Sequence, residues 1–202
     1  MSRKTGSVIY INGPVVKGRN MRAFKMREMV LVGKSKLIGE VISVDENIGT
    51  LQVYEESEGL GIEEEIHGLG NPLSINLGPG LLGNIFDGIG RPLDSMTEID
   101  KTFIPEGIGL TSIDFEKEWS VNIKVEKGDK LEEGFVYGTL KETELIQHKL
   151  MIPTGLGGKV SDVNTSVKYN LNDTLISLKD KNGNIHEIKM HQKWPVRKPR
   201  PV

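Results

Sequence analysis

Short β-branched runs, each closed by a tight turn, set the strongest limit on what this chain can fold into. Val8-Ile9-Tyr10-Ile11 stops at Asn12-Gly13-Pro14 and resumes at Val15-Val16. Met29 to Val32 is closed by Gly33, and Leu37 to Val44 runs through the turn Asp45-Glu46-Asn47-Ile48-Gly49 into Thr50 to Tyr54. Such runs read as strands, because β-branched and aromatic side chains fit a pleated surface while Asn, Gly and Pro supply the turn angles. Leu51 and Val53 share one face and Gln52 and Tyr54 the other, the two-residue period of a half-buried strand. Strands recur roughly every 8 to 14 residues, the rhythm of a small closed barrel without open edges. Glycine usage agrees: 24 of 202 residues are glycine, well above the usual share of about 7%.

A second β region follows. Val121-Asn122-Ile123-Lys124-Val125 alternates, and after the turn Lys127-Gly128-Asp129-Lys130 comes Phe135 to Leu140. Lys149 to Pro153 precedes the flexible Gly155-Leu156-Gly157-Gly158, and Lys159 to Val163 follows. Leu175 to Leu178 and Ile185 to Met190 are joined across Asn182-Gly183, a hairpin signal that predicts a type I′ turn with positive φ at both central residues. The order of strand, Lys-Gly-Asp-Lys, strand, Glu-Thr-Glu, strand and Gly-Gly-Lys-Val is similar to the lipoyl and biotinyl carrier domains, which are flattened barrels. Those carriers present a modified lysine at a hairpin tip. The nearest lysine here is Lys149, in Gln147-His148-Lys149-Leu150-Met151, so the resemblance covers the fold and leaves out the modification tripeptide.

Between the two lies Leu77 to Leu93, rich in glycine. Gly78 and Gly83 stand at the spacing of a phosphate loop, but Asn84 and Ile85 occupy the places of the lysine and the magnesium-binding hydroxyl. The stretch therefore reads as a linker with a short helix, and its glycines as servants of turns and close packing. Asp87 and Arg91 flank Gly88-Ile89-Gly90 and read as a brace rather than as catalytic groups.

Composition and motifs exclude several function classes. A formal net charge of -2 gives no general pull toward nucleic acid or anionic membrane. Cysteine is absent, which removes disulfides, thiolate metal sites and cysteine nucleophiles. No apolar run approaches the roughly 18 to 20 residues of a membrane span. The basic N-terminus enters strand sequence at once, without a signal peptide's apolar core. A soluble intracellular location is the expectation. The acidic patches Glu55, Glu56, Glu58 and Glu63 to Glu65 read as a solvated rim, since consecutive carboxylates on a strand point to opposite faces and cannot converge on one cation. An oligonucleotide-binding barrel would use its aromatics, here Tyr10, Phe24 and Tyr54, against single strands, yet the rim is acidic. His186 and His191 fall on opposite strand faces, and His67 and His148 stand apart, so no metal set, triad or cofactor site is assigned.

Several separated segments, taken in order, resemble the N-terminal part of the catalytic A subunit of archaeal-type and vacuolar-type rotary ATPases. They are Gly6 with Ile11-Asn12-Gly13-Pro14-Val15-Val16, Leu37-Ile38-Gly39-Glu40-Val41-Ile42, Gln52-Val53-Tyr54-Glu55-Glu56, and Leu73 with Leu77-Gly78-Pro79-Gly80-Leu81-Leu82. The series continues through Ile85-Phe86-Asp87-Gly88-Ile89-Gly90-Arg91-Pro92-Leu93, Gly138-Thr139, Glu142-Thr143, His148-Lys149, Met151-Ile152-Pro153, Trp194-Pro195-Val196-Arg197 and Arg200-Pro201. Gly90 stands where the family commonly has glutamine, and Asp94 to Phe103 is not distinctive.

The resemblance implies a mainly β chain. Residues 1–70 would be an N-terminal barrel that joins the crown of an alternating hexamer with B subunits. Residues 71–105 would open the nucleotide-binding domain, and 106–190 would be an inserted bulge, the flattened-barrel unit, directed toward the peripheral stalk. Residues 191–202 would return to the nucleotide domain. ATP and magnesium would bind the whole subunit, which couples ATP synthesis or hydrolysis to proton or sodium transport. This stretch would carry no catalytic, cofactor or metal residue, would touch neither nucleic acid nor the bilayer directly, and would sit on the cytoplasmic side. Part of 71–105 is expected to lack order without the sheet it packs on. The basic, proline-rich tail from Gln192 reads as a stiff linker with more chain to follow. A carrier domain and a single-strand nucleic-acid binder are the rival readings.

Overall fold

The computed structural model describes residues 4–94 and 111–199. Two compact units divide them: 4–75, 85–94 and Pro195–Lys198 form the first, Asn76–Asn84 and Thr111–Trp194 the second. The expectation of disorder in 71–105 falls in part on residues outside those described.

Six antiparallel strands close the first unit into a barrel. They are β1 (Thr5–Asn12), β2 (Val15–Arg19), β3 (Glu28–Val32), β4 (Leu37–Asp45), β5 (Ile48–Val53) and β6 (Glu65–Pro72), in the order β1-β2-β5-β4-β3-β6. β6 closes the ring against β1, with Gly6 opposite Ile66. The alternation read along 51–54 holds: Leu51 and Val53 are buried and Gln52 is exposed. Val8, Val16, Val30, Val32, Val41 and Ile66 complete the interior, each worth roughly 1.5–3 kcal/mol of transfer free energy. Met21 is fully buried in the same core, and glycine makes room for it: a Cβ at Gly6 would lie 2.5 Å from the Met21 sulfur.

β6 escapes a reading of the sequence. Glu65-Ile66-His67-Gly68-Leu69-Gly70-Asn71-Pro72 has two apolar residues and two glycines, and Glu65 reads as part of the acidic rim. It is a strand because the open edges of β1 and β3 both need hydrogen-bond partners, and one segment serves both.

The second unit places β8 (Val121–Ile123), β10 (Val136–Lys141) and β11 (Gln147–Met151) in one sheet. A second sheet holds β9 (Lys130–Leu131), β12 (Gly158–Val163), β13 (Ile176–Lys179) and β14 (Ile185–Ile188). Both contribute to one core, in which Tyr137, Leu140 and Leu150 from the first sheet join Val160, Leu178 and Ile188 from the second. β7 (Ser74–Leu77) and β15 (Gln192–Pro195) form a two-stranded sheet. After β7 the chain turns at 79–80 and 82–83, and among the described residues of the linker helical backbone is found only at Leu93 and Asp94.

Two local expectations need correction. The β13–β14 hairpin forms, but its loop is Asp180 to Asn184, with Lys179 opposite Ile185. Only Gly183 has positive φ there. The Asp180 carboxylate accepts from the Asn182 and Asn184 amides and so organises a longer loop in place of the type I′ turn. The Gly155-Leu156-Gly157-Gly158 run is not a flexible connector either. Gly155 donates to Glu133, and a Cβ on Gly158 would stand 2.2 Å from the Lys179 carbonyl oxygen. That glycine lets β12 approach the end of β13.

Gly158→Ala is therefore expected to destabilise the second unit by about 1–3 kcal/mol, read in urea by the fluorescence of Trp119 and Trp194, which both lie in it. Gly88→Ala, where the added Cβ meets nothing within 4 Å, should leave the transition in place.

Candidate functional site

The residues singled out in Leu77 to Leu93 do form a built structure, and it is a brace. Asp87 and Arg91 close the segment 85–93 as a small hairpin: Phe86 bridges Pro92, the Asp87 amide donates to the Arg91 carbonyl at 3.0 Å, and the Leu93 amide donates to Ile85 at 2.9 Å. Gly90 turns the corner at φ +84°, a backbone state that glycine adopts freely. Asp87 accepts from the Ile89 and Arg91 amides at 3.1 and 2.8 Å and from Arg91 Nε at 2.7 Å. Burial by itself would raise the Asp87 carboxyl, but the Arg91 amide and guanidinium outweigh it and hold the group below the usual carboxylate range.

Arg91 also reaches the barrel. Its Nη1 lies 2.6 Å from Glu55 Oε1, with side-chain exposures of 8% and 4%. Glu55 Oε2 accepts the Ile38 amide at 2.7 Å. Glu55 thus leaves the solvated rim in which the sequence reading places it. It directly follows Tyr54, where the chain leaves β5, and its position is set by Arg91, 36 residues further on.

A second buried carboxylate lies in the barrel wall. Glu40, on β4, is 1% exposed, accepts from the Tyr54 hydroxyl at 2.5 Å, and pairs with the Arg197 guanidinium. Burial and then the neighbouring Glu40 carboxylate push the Tyr54 hydroxyl up to about 12. Glu28 is a third. It binds Lys4 at 2.8 Å and accepts from the Lys25 and Gly70 amides, and these contacts overcome the burial that would raise it and hold it low. Sequence reasoning misses Glu28 and the Glu40–Arg197 pair as interactions. The available signal is a lone carboxylate inside the apolar run Leu37 to Ile42.

In the second unit Glu142 does comparable work. Its carboxylate, 3% exposed, accepts the Gly80 amide at 2.7 Å and lies 2.8 Å from His148 Nδ1. Burial would raise it, but the Gly80 amide, His148 and the Leu82 amide together hold it low. The glycines that mimic a phosphate loop have structural duties. Gly78 packs where a Cβ would come 3.0 Å from the His191 Cβ, and Gly80 and Gly83 take positive φ.

The other candidates do not converge. Lys149 lies within β11 opposite Thr139 rather than at the hairpin tip, which is made by Thr143, Glu144 and Leu145, so the position does not match a carrier lysine. His67 contacts Glu65, His186 contacts Asp180, and His191 donates from Nδ1 to the Leu171 carbonyl. Of the three barrel aromatics, Phe24 is core and Tyr54 is tied to Glu40, leaving Tyr10 exposed beside Lys17. They make no stacking platform of the kind a single strand needs. Among the described residues no helix is long and apolar enough to cross a membrane.

A six-stranded barrel followed by a two-sheet unit, with a charge-locked turn between them in sequence, defines the class. Residues 8–70 match the beta-barrel domain of the ATP synthase alpha/beta family, and residues 110–197 match the ATP synthase alpha/beta subunit barrel-sandwich domain. The chain belongs to the ATP synthase alpha/beta family, and within it to the N-terminal region of the A chains of V-type and A-type ATP synthases. It is 54% identical over 197 residues to V-type ATP synthase alpha chain 2 of Clostridium tetani, covering 98% of this chain and 33% of that protein. It is 44% identical over 198 residues to the V-type ATP synthase alpha chain of Halothermothrix orenii, covering 98% and 34%. To the corresponding chain of the A-type ATP synthase of Methanopyrus kandleri it is 45% identical over 196 residues, covering 97% and 33%. The chain spans about a third of the length of these relatives.

Arg91→Gln leaves Glu55 and Asp87 without their shared cation and is expected to cost about 3–5 kcal/mol. Arg197→Gln, at a side chain 52% exposed and with Tyr54 still on Glu40, should cost less, about 1–3 kcal/mol. Hydrogen exchange of the barrel amides reads both. The folded pKa of Glu142 lies below its usual 4.5, so its contribution is complete above that pH and is lost as pH falls through the lower folded value. Glu142→Gln should therefore destabilise the second unit at pH 7 by about 1–3 kcal/mol, and the difference from the parent should close as the pH falls through the lowered folded value of Glu142.

Proposed function

We propose that this chain is the non-catalytic, assembly-forming N-terminal portion of the A subunit of a V/A-type rotary ATPase, whose whole protein couples ATP synthesis or hydrolysis to proton or sodium transport. The observation that carries this reading is the pair of arginines on the barrel. Arg91 and Arg197 precede and follow the Thr111–Trp194 segment in sequence, and each is held by a buried barrel carboxylate, Glu55 or Glu40. A barrel that grips both segments in this way suits a role as an anchor for chain leaving toward, and returning from, a further domain.

In this reading residues 1–70 form the crown barrel against B subunits. Residues 71–105 and 191–202 lead into and out of the nucleotide domain, and 106–190 are the bulge directed to the peripheral stalk. ATP and magnesium belong to the whole subunit, on the cytoplasmic side of the membrane. The Asn84-Ile85 pair at the end of the glycine spacing supports a chain without nucleotide chemistry of its own, because the lysine and hydroxyl that hold phosphate and magnesium have no counterparts there.

Two measurements bear on this reading. Calorimetry of the 202-residue chain with MgATP should show no binding tighter than about 1 mM, and micromolar affinity would sink the non-catalytic assignment. Full-length A subunit carrying Arg91→Gln, co-expressed with its B subunit, should give a reduced yield of alternating hexamer by native mass spectrometry. Hexamer at the parent's yield would remove the assembly role of the brace.

A further inference from the structure

One cavity in the second unit has a composition that the brace and the assembly role leave unused. It measures about 310 Å³, the lower end of the range for small-molecule sites, which start near 300 Å³. Its apolar wall includes Leu77, Leu81, Leu150 and Met190, with Tyr137 among the lining residues. Polar residues line it from three places: Lys149 and His148 from within β11, Glu142 just after β10, and Lys189 and His191 just beyond β14.

The charges are unequally satisfied. Glu142 is saturated by the Gly80 and Leu82 amides and His148. His191 is fixed by its Nδ1 bond to Leu171 and by the edge contact of Phe115, with ring centroids 5.0 Å apart, and burial first, with the positive charge of Lys189 assisting, lowers its basicity. Lys149 and Lys189 differ: neither ammonium has a hydrogen-bond or ion-pair partner among the described residues. The Lys189 backbone is also anchored, because the buried Tyr137 hydroxyl donates to its carbonyl at 3.1 Å. Two unpaired cations therefore border a mostly apolar cavity whose one carboxylate is already spent.

We propose that this cavity is a binding site for a small organic anion, an acidic group carried on an apolar body. The acidic group would sit between Lys149 and Lys189, and the body would cover Leu81, Leu150 and Met190. A bare inorganic anion would leave the apolar wall wet, and a neutral analogue would leave both ammonium groups without a partner, so each should bind less well.

The test is an amide NMR titration of the intact chain with phenyl phosphate, benzoate, inorganic phosphate and benzyl alcohol. At least one of the two aryl anions should bind saturably, with a dissociation constant below about 1 mM and shifts centred on Gly78, Leu81, Met190 and His191. Whichever binds more tightly names the acidic group. Inorganic phosphate and benzyl alcohol should bind at least about tenfold more weakly, and Lys149→Ala and Lys189→Ala should each weaken the aryl anion by about tenfold. Lys168→Ala, at an exposed residue paired with Glu118, should leave it unchanged, and unshifted resonances elsewhere show that the variants fold. The proposal is overturned if neither aryl anion produces saturable shifts at those amides. It also fails if benzyl alcohol or inorganic phosphate matches them, or if either lysine substitution leaves the affinity unchanged.

Discussion

A carboxylate buried in a β-barrel is costly unless a cation and further donors meet it, and here Glu40 and Glu55 are each met by an arginine from a distant part of the chain. Removing an ion from water costs several kcal/mol even after relaxation, so these residues would be poor choices for stability alone. Their consequence is positional. A buried carboxylate admits few satisfactory geometries, and the guanidinium fork meets it with directed hydrogen bonds. The hairpin of 85–93 and the short segment Pro195–Lys198 are thereby held at defined places on the barrel. Hydrophobic contact, which has no direction, would tolerate sliding there.

The same device recurs at Glu28, which gathers Lys4 and two amides, and at Glu142, which gathers two amides and His148. In each case burial pushes the carboxyl toward neutrality and the surrounding donors reverse the direction. The glycines around Glu142 belong to this arrangement. Gly80 turns with positive φ so that its amide meets the carboxylate, and Gly78 allows close approach to His191. A stretch that imitates a phosphate loop in its spacing thus aims a backbone amide at a protein carboxylate. That use of a backbone N–H resembles anion binding at a nest, with a side chain in the place of the ligand.

Local sequence carries much of this. Alternation in Thr50 to Tyr54 and in Val121 to Val125, the turns at Asn12-Gly13-Pro14 and Lys127-Gly128-Asp129-Lys130, and the bracing role of Asp87 and Arg91 depend on neighbours a few residues apart. What local sequence hides depends on partners far along the chain. β6 has little strand character of its own and exists because β1 and β3 leave edges on either side of it. Glu55 looks like one more residue in an acidic patch until Arg91 gives it a partner. The β13–β14 loop departs from its type I′ expectation because the Asp180 side chain, two residues before Asn182, outcompetes the preference of Asn-Gly.

By itself the sequence determined the fold class, the two β regions, the family and the lack of a phosphate-loop lysine, because these are written in periodicity, turn chemistry and motif order over short spans. The tertiary structure alone decided which carboxylates are buried and which arginine each one receives. It also decided that Lys149 lies within a strand and borders a cavity with Lys189, 40 residues away in the chain. Burial and pairing are properties of where the chain returns to itself, and a carboxylate's neighbours in sequence do not say which cation will reach it.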